Sequence, residues 1–501
     1  MAAQLQTELL AELASSFPDS VAWRNLADGS ELTLGAWHRR SNRLAHGLEA
    51  RGLGRGDRIG LLISNDEPLE WLVSYVGIHK AGAVAVPLLA RLGPAEIATL
   101  LRHAGARAAL CSEATPEIGG AVPTVFATRP DEPYEAEPWQ RLLEPDDSDL
   151  TESPTGDDLA DIMYTSGTTG RPKGVLVQHG SLSTMDHVPS SWLGLGFLTS
   201  SPFATTSGSL LVSGPLRGGL SGWFLPRFDA TAWIDAVARA RPVAGFLVPA
   251  MVELIVAAPS FESADLSSLA VVNIGSAPIA VATLRRFGSR LSAAEVLCGY
   301  GMTEYGAVTA VPMGDRGRHL GSVGLPLPGV ALQIVDDRGT LLPAGEVGEV
   351  TIGGARRPRS YDAEDASSEQ TWVDGWLRSG DLGYLDDDGH LWIVGRRKEM
   401  IIRGGHNIVP GEVEAALFEH PGVVEAAVAG VPHPVLGEDV AAWVVLRSPV
   451  APDELRSFLL GRLADYKVPR RISVVDGLPR NDSGKVLKSQ LVPGDESRSG
   501  P

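Results

Sequence analysis

Cysteine and lysine are both scarce in this chain of 501 residues. Two cysteines, Cys111 and Cys298, cannot form a disulfide framework for a polypeptide of this length, and no C-x-x-C or Cys/His grouping suggests a structural metal. A reducing compartment is the expectation. Positive charge is in deficit as well: 43 Lys and Arg stand against 61 Asp and Glu, a formal net charge of −18. That leaves no basic footprint for a nucleic-acid backbone, and it disfavours an anionic membrane surface for the same reason. Long apolar runs are missing too. The longest charge-free stretch, Val188 to Leu216, has 29 residues but is interrupted by Pro189, Pro202 and Pro215 and by many small polar residues. A membrane helix is not built that way. The opening MAAQLQTELLAELASS carries two glutamates where a signal peptide has its positive region, so it reads as a cytoplasmic start.

With 44% hydrophobic residues the chain can bury more than one core, and two or three structural units are expected. Short β-branched runs alternate with amphipathic or Ala-rich stretches, the pattern of β-α units on a mostly parallel sheet. Residues 58–63, 67–80 and 83–87 make one such unit. Residues 228–239 read as a helix, and 243–248, 270–274 and 295–297 as strands that end in the loops VPAM, GSAP and GYGMTE. In doubly wound sheets ligands collect at the carboxyl ends of strands, so these loops are expected to share a cleft. From about Gly329 the texture changes to short strands with turn signals. A helix over 410–419 and strands near 423–429 and 441–446 then mark a separate final unit, ending in a polar tail from Gly494.

The densest chemical signal is Tyr164 to Gly174, YTSGTTGRPKG. Thr165, Ser166, Thr168 and Thr169 supply hydroxyls, Gly167 and Gly170 open the backbone amides, and Lys173 supplies an ammonium group, a set suited to a triphosphate. It is not a Walker A loop, because glycine follows Lys173. Composition alone would equally suit a surface loop. Further along lie GSAP (Gly275–Pro278), GYGMTE (Gly299–Glu304), SGDLG (Ser379–Gly383), GRRKEMIIRGGHNIVPGEVE (Gly395–Glu414) and PRNDSGK (Pro479–Lys485).

In this order the six strings resemble the motif series of the adenylate-forming superfamily, which comprises acyl-CoA synthetases, peptide-synthetase adenylation domains and luciferases. The resemblance spans essentially the whole chain and points to the acyl-CoA synthetase branch. It implies an α/β fold: a large N-terminal AMP-binding domain (1–395) of mostly parallel sheets with a small β-rich subdomain, followed by a small mobile α+β C-terminal domain (396–501). It implies an ATP-dependent acid–CoA ligase that uses ATP, Mg²⁺ and CoA. Lys485 would be the catalytic cation between carboxylate and α-phosphate, with Thr303 on that phosphate and Glu304 as the Mg²⁺ ligand. Read alone, Lys485 is a solvated turn lysine and Glu304 a helix-start glutamate. Tyr300 would stack on adenine, with Ser276, Ala277 and Pro278 along the base and Gly299, Gly301 and Met302 in the same wall. Asp381 would hold the ribose, with Arg396 close by. Lys398 falls at the interdomain hinge, and Gly404 and Gly405 would line the CoA tunnel in a second conformation. His406 stands where glutamate is more common and reads as solvent-facing or near the tunnel.

One departure concerns the acyl site. Where many acyl-CoA synthetases carry an aromatic–His pair in P-L-F-H-x-x-G, this chain has PFATTSG (Pro202–Gly208), with Thr205 in place of histidine. The expected pocket wall is Phe203, Thr205, Gly208, Val248, Ala250, Met251, Gly275, Gly301, Met302 and Gly306, mostly small or apolar. That suits a hydrophobic acid. No wall aspartate is present for an amino-acid substrate, and no arginine for a dicarboxylate. Two alternatives remain: a stand-alone enzyme loading a carrier protein, and one competent mainly in a single half-reaction. An idle nucleotide-binding module is disfavoured because Lys485, Glu304 and Asp381 are all present. The arginine bias is typical of high-GC bacteria, where such enzymes often serve natural-product biosynthesis. Among the six lysines, 173, 398 and 485 fall in motifs and 467 lies in a family-like YKVPR segment, while Lys80 and Lys488 read as ordinary surface residues.

Overall fold

The computed structural model of the chain describes residues 4–130, 136–165, 173–182, 191–291, 293–315, 317–356, 359–362, 372–480 and 486–491. Two mostly parallel sheets, of eight and nine strands, form the body of the large N-terminal part. In the first, Arg58–Leu62 pairs parallel to Val84–Pro87 and to Ala108–Cys111, with the helix Pro68–Lys80 as crossover. Its far edge turns antiparallel, where Leu159–Thr165 pairs with Lys173–Gln178 and that strand with Ser360–Tyr361. In the second, Gly196–Thr199, Ala244–Leu247, Val271–Ile274 and Glu295–Met302 run parallel in that order. The expected strands form, and in the first sheet their apolar runs are buried on both faces.

Helix boundaries follow local chemistry. Thr33 caps Leu34–Glu49 and Asp229 caps Ala230–Ala240 through side-chain oxygens, while Pro249 and Pro410 open their helices at the first turn. One core, to which both sheets contribute, holds Trp23, Trp37, Trp71, Tyr75 and Trp139, all fully buried. A third, antiparallel sheet contains Val330–Val335, Gly348–Gly354, Trp376–Leu385 and Leu391–Arg396. A fourth contains Ile401–Arg403, Val423–His433, Gly437–Leu446 and Arg471–Val474, covered by the helices Pro410–Phe418 and Pro452–Leu460.

Two expectations are corrected. GYGM is strand, not loop: Gly299–Met302 pairs antiparallel with Gly306–Ala310 across a bulge at Tyr300/Gly301, so only Thr303–Tyr305 form the turn. This also removes the helix-start reading of Glu304. Lys80 is not a surface residue. It is 7% exposed, bonded to Asn42 Oδ1 at 2.6 Å and to the His38 carbonyl at 3.1 Å, and burial pushes its ammonium down to about 7. Lys488 is likewise engaged, 2.7 Å from Glu414 and 3.4 Å from Glu399. Among the described residues no helix is long and apolar enough to cross a membrane.

Candidate active site

Three sheets meet where the second sheet's Glu295–Met302 strand ends. The register of the third sheet sets Asp381 directly opposite Arg396, and their side chains pair at 2.9 Å. From the second sheet, the Tyr300 hydroxyl donates to the other Asp381 oxygen at 2.6 Å. Burial, reinforced by the Asp381 charge, holds the Tyr300 phenol well above its usual range, so it stays a proton donor. Asp381 is buried and its amide is held by Ser379 Oγ at 3.0 Å. Beside this corner opens a cavity of about 430 Å³ lined by Ser379, Gly380, Arg396, Arg397 and Lys398. Burial, with Arg396 adding to it, keeps the Lys398 ammonium below its usual range. An oriented carboxylate beside a cationic fork is well suited to a vicinal diol.

The adjacent turn is pinned from behind. Thr303 Oγ1 lies 2.9 Å from Thr206 Oγ1 at the start of the Thr206–Arg217 helix. The Thr303 carbonyl accepts from Arg359 Nη1 at 2.9 Å, and Arg359 Nη2 reaches the Ser181 carbonyl at 3.0 Å. Arg359 is buried, which pushes its guanidinium down to about 10 against the opposing pull of Asp161, Tyr75 and Glu304. Gly306 lies against the same group, a Cβ there coming within 3.2 Å of Nη2. Glu304 Oε1 accepts the Tyr361 hydroxyl at 3.0 Å, and Lys173 Nζ lies 5.5 Å over the Tyr361 ring. The Tyr361 strand is fastened by Asp362, which forms a two-pronged pair with Arg58 at 2.7 and 2.8 Å. A carboxylate and a lysine thus share one aromatic spacer at the mouth of the Thr165–Lys173 segment. An oxygen donor set of this kind fits Mg²⁺ shared with phosphate.

Ser166, Gly167, Thr168, Thr169, Gly170 and Lys485 lie outside the described residues. Thr165 ends its strand opposite Lys173. Gly275–Pro278 follows the Val271–Ile274 strand, and Ser276 adopts φ +78°, a left-handed conformation unusual for a serine. Gly299, Gly301 and Met302 share the Tyr300 strand.

At the expected acyl wall one ring turns away into the core, and two further positions carry a local structural role. Phe203 does not line a pocket: it is 1% exposed, stacked on Phe224 at 4.6 Å and edge-on to Trp23 at 5.0 Å. The chain reverses at 202–205 into the helix, and that reversal turns the ring into the core. Thr205 is a helix cap, its hydroxyl accepting from Gly208 N at 3.1 Å and donating to the Pro202 carbonyl at 2.8 Å. Gly208 is required by close approach, since a Cβ there would lie 1.9 Å from Pro202 O. Val248 is buried before the Pro249–Ala257 helix, and Met251 packs half-buried on the second core.

Gly404 and Gly405, at φ +56° and +87°, make the tight turn before His406, and Gly404 N donates to the Leu436 carbonyl at 2.9 Å. The turn edges a second cavity of about 430 Å³, lined in part by Arg403, Arg456, Tyr466 and Arg470. His406 is exposed and stacks on Tyr466 at 4.4 Å. The segment ahead of Lys485 reaches the large part: Arg480 lies 2.9 Å from Glu425 and 3.7 Å from Glu253 on the Pro249–Ala257 helix. Burial pushes the Glu253 carboxyl up to about 7, with Arg480 pulling the other way.

Arg359, Tyr361, Thr206, Glu253 and Arg480 were not marked as site residues by sequence. Two of them carried a signal: Arg480 by its place inside PRNDSGK and Thr206 by its place inside PFATTSG.

The family model described as AMP-binding enzyme matches residues 10–361, and the model described as AMP-binding enzyme C-terminal domain matches 412–485. A feruloyl-CoA synthase from Amycolatopsis sp is 36% identical over 482 residues, covering 92% of this chain and 94% of that one. The fatty acid–[acyl-carrier-protein] ligase ScoC of Streptomyces coeruleorubidus is 33% identical over 93% of this chain and 92% of its own. The crystal structure of the anthranilate CoA ligase AuaEII in complex with anthranoyl-AMP superposes with a TM-score of 0.87 at 26% identity, covering 97% and 96% of the two chains. The chain belongs to the AMP-binding enzymes of the adenylate-forming superfamily, in its acyl-CoA synthetase branch.

Proposed function

We propose that this enzyme activates a hydrophobic carboxylic acid with ATP and passes the acyl group to the thiol of CoA. The observation that carries the reading is the Tyr300–Asp381–Arg396 corner standing next to the Thr303–Glu304 turn. A nucleotide held with its ribose on Asp381 brings its phosphates to Thr303, Glu304 and Lys173. The substrate carboxylate oxygen attacks the α-phosphorus, the bond to the β-phosphate oxygen breaks, and pyrophosphate leaves. Lys485 bridges the incoming carboxylate and the α-phosphate, neutralising charge where it concentrates. Glu304 would hold Mg²⁺, which would supply charge neutralisation on the departing phosphates. The thiol then attacks the acyl carbon and AMP leaves with one of the original carboxylate oxygens.

Residues 1–395 and 396–501 act as the two moving units, with Lys398 as pivot. Arg480 against Glu253 supports reading the arrangement described above as the one that presents the Lys485 segment. In the other arrangement the Gly404–Gly405 turn faces the cleft, where its bare backbone leaves room for a pantetheine arm. The arginines and the stacked His406–Tyr466 pair beside that turn suit the phosphorylated nucleotide of CoA, which favours CoA as acceptor. Apolar residues around Val248, Met251 and Met302 support a hydrophobic acid, and the named relatives include ligases of feruloyl, anthranoyl and fatty acyl groups.

A panel of aryl, alkyl and dicarboxylic acids with ATP and Mg²⁺, offered CoA and separately a phosphopantetheinylated carrier protein, tests this by mass spectrometry of the thioesters. Aryl- or alkyl-CoA is the expected product. Thioester on the carrier alone makes the enzyme a carrier-loading ligase, and turnover only of dicarboxylates overturns the apolar pocket.

A further inference from the structure

On the side of the β-rich sheet away from the Tyr300–Asp381 corner, two loops bring together Asp315, His319 and His390, whose candidate donor atoms all lie within 4.8 Å of one another. Asp315 and His319 come from the loop that follows the Gly306–Ala310 strand, and His390 from the turn between the strands that carry Asp381 and Arg396. We propose that this cluster binds one borderline divalent cation of the Zn²⁺, Co²⁺ or Ni²⁺ class and clamps the two hairpins that form the nucleotide corner.

The donors have the right chemistry. Asp315 is 4% and His390 6% exposed, an unusual depth for a carboxylate and an imidazole. Asp315 Oδ1 lies 2.7 Å from His319 Nδ1, and Asp388 Oδ2 lies 3.4 Å from His319 Nε2, so a second carboxylate borders the group. The two imidazole rings stack at 3.6 Å. The observation that points to a ligand is His390 Nδ1: it is buried without a hydrogen-bond partner among the described residues. Asp386 Oδ1 is 3.7 Å from it, beyond bonding distance, and that carboxylate is already occupied by the amides of Asp388 and His390 and by Trp392 Nε1. A buried imidazole nitrogen without a partner costs stability that a metal bond would return. Two imidazoles and two carboxylates, or one carboxylate and a water, make a four-coordinate N/O set, which suits Zn²⁺-like ions and not Mg²⁺.

Ring lone pairs lie in the ring plane, so one imidazole has to turn about its Cβ–Cγ bond for both to reach one ion. His319, with 21% of its side chain exposed against 7% for His390, is the less confined. Once bound, the cation would tie the loop after the Tyr300 hairpin to the turn of the Asp381–Arg396 hairpin. Such a clamp would stiffen the corner whichever acid is activated.

The test uses full-length protein without a polyhistidine tag, stripped by chelator and titrated with Zn²⁺ or Co²⁺ in the absence of nucleotide. One equivalent per chain is expected to survive dialysis against excess Mg²⁺, with visible absorption of tetrahedral Co²⁺, a raised Tm, and slowed hydrogen exchange in 317–320 and 386–391. His319→Gln and His390→Asn should each weaken binding by more than the roughly 10- to 100-fold that loss of an outer-shell partner costs. Their metal-free Tm and ATP–pyrophosphate exchange show whether they fold. Wild-type protein that retains less than one equivalent, or folded variants that retain it at full affinity, would overturn the proposal.

Discussion

Arg359 Nη1 donates to the main-chain carbonyl of Thr303 at 2.9 Å, joining the Ser360–Tyr361 edge of the first sheet to the Thr303–Tyr305 turn of the second. The same guanidinium holds the Ser181 carbonyl, so one buried cation sets the turn that carries both Thr303 and Glu304. Bonds from a charged donor contribute about 1.5–3 kcal/mol each. Arg359→Met, which keeps much of the volume, is expected to lower the kcat of acid-dependent ATP–pyrophosphate exchange about 10- to 100-fold, with a smaller change in KM for ATP. Steady-state kinetics beside a thermal melt checks this; a rise in KM alone would mean that Arg359 does not position the turn.

The ribose corner gives a graded expectation. Asp381→Asn removes the charge facing Arg396 and leaves one acceptor oxygen where Tyr300 and Arg396 use two, and should raise KM for ATP about tenfold or more. Tyr300→Phe leaves the Asp381–Arg396 pair intact and should cost less. Isothermal titration with ATP ranks the two directly, and equal losses would mean that the phenol hydroxyl is needed as much as the carboxylate.

The Thr205 hydroxyl caps the start of the Thr206–Arg217 helix. Thr205→Ala should cost about 1 kcal/mol of stability, the usual loss for a removed cap. Denaturant unfolding measures that, and the order of preferred acids should be unchanged. A reordered acid preference at unchanged stability would return Thr205 to the pocket.

Glu253 gives a pH signature. Its carboxyl is raised from 4.5 to about 7 where Arg480 docks. A raised carboxyl contributes stability that is fully present below about 4.5 and is lost as pH rises to about 7. Glu253→Gln stays neutral throughout, so the difference in Tm between wild type and variant should grow across that window in favour of the variant and level off above it. A difference that does not change with pH would mean that Glu253 keeps an ordinary pKa.

What could be read from the chain alone was whatever local pattern controls. Apolar runs such as 84–87 and 108–111 are strands because both sheet faces are buried, and proline or Asp and Thr caps fix the helix starts. The motif strings led to Tyr300, Asp381 and Arg396, which the fold brings within hydrogen-bond distance. What stayed hidden depends on partners distant in sequence. Arg359 looks like one more arginine until Ser181 and Thr303 close around it, and Lys80 looks like a surface lysine until His38 and Asn42 enclose it. Phe203 was misplaced because a motif position does not say to which side a reversing chain sends its ring. GYGM was misread as a loop because glycine-rich strands carry no β-branched signal.

The central claim is that the acid is activated at the α-phosphate and released to a thiol. An acid that turns over with CoA, labelled with heavy oxygen in its carboxylate, tests it most directly through mass spectrometry of the nucleotide products. One heavy oxygen is expected in AMP, one in the acyl thioester and none in pyrophosphate. Label in inorganic phosphate, with ADP as the nucleotide product, would contradict it.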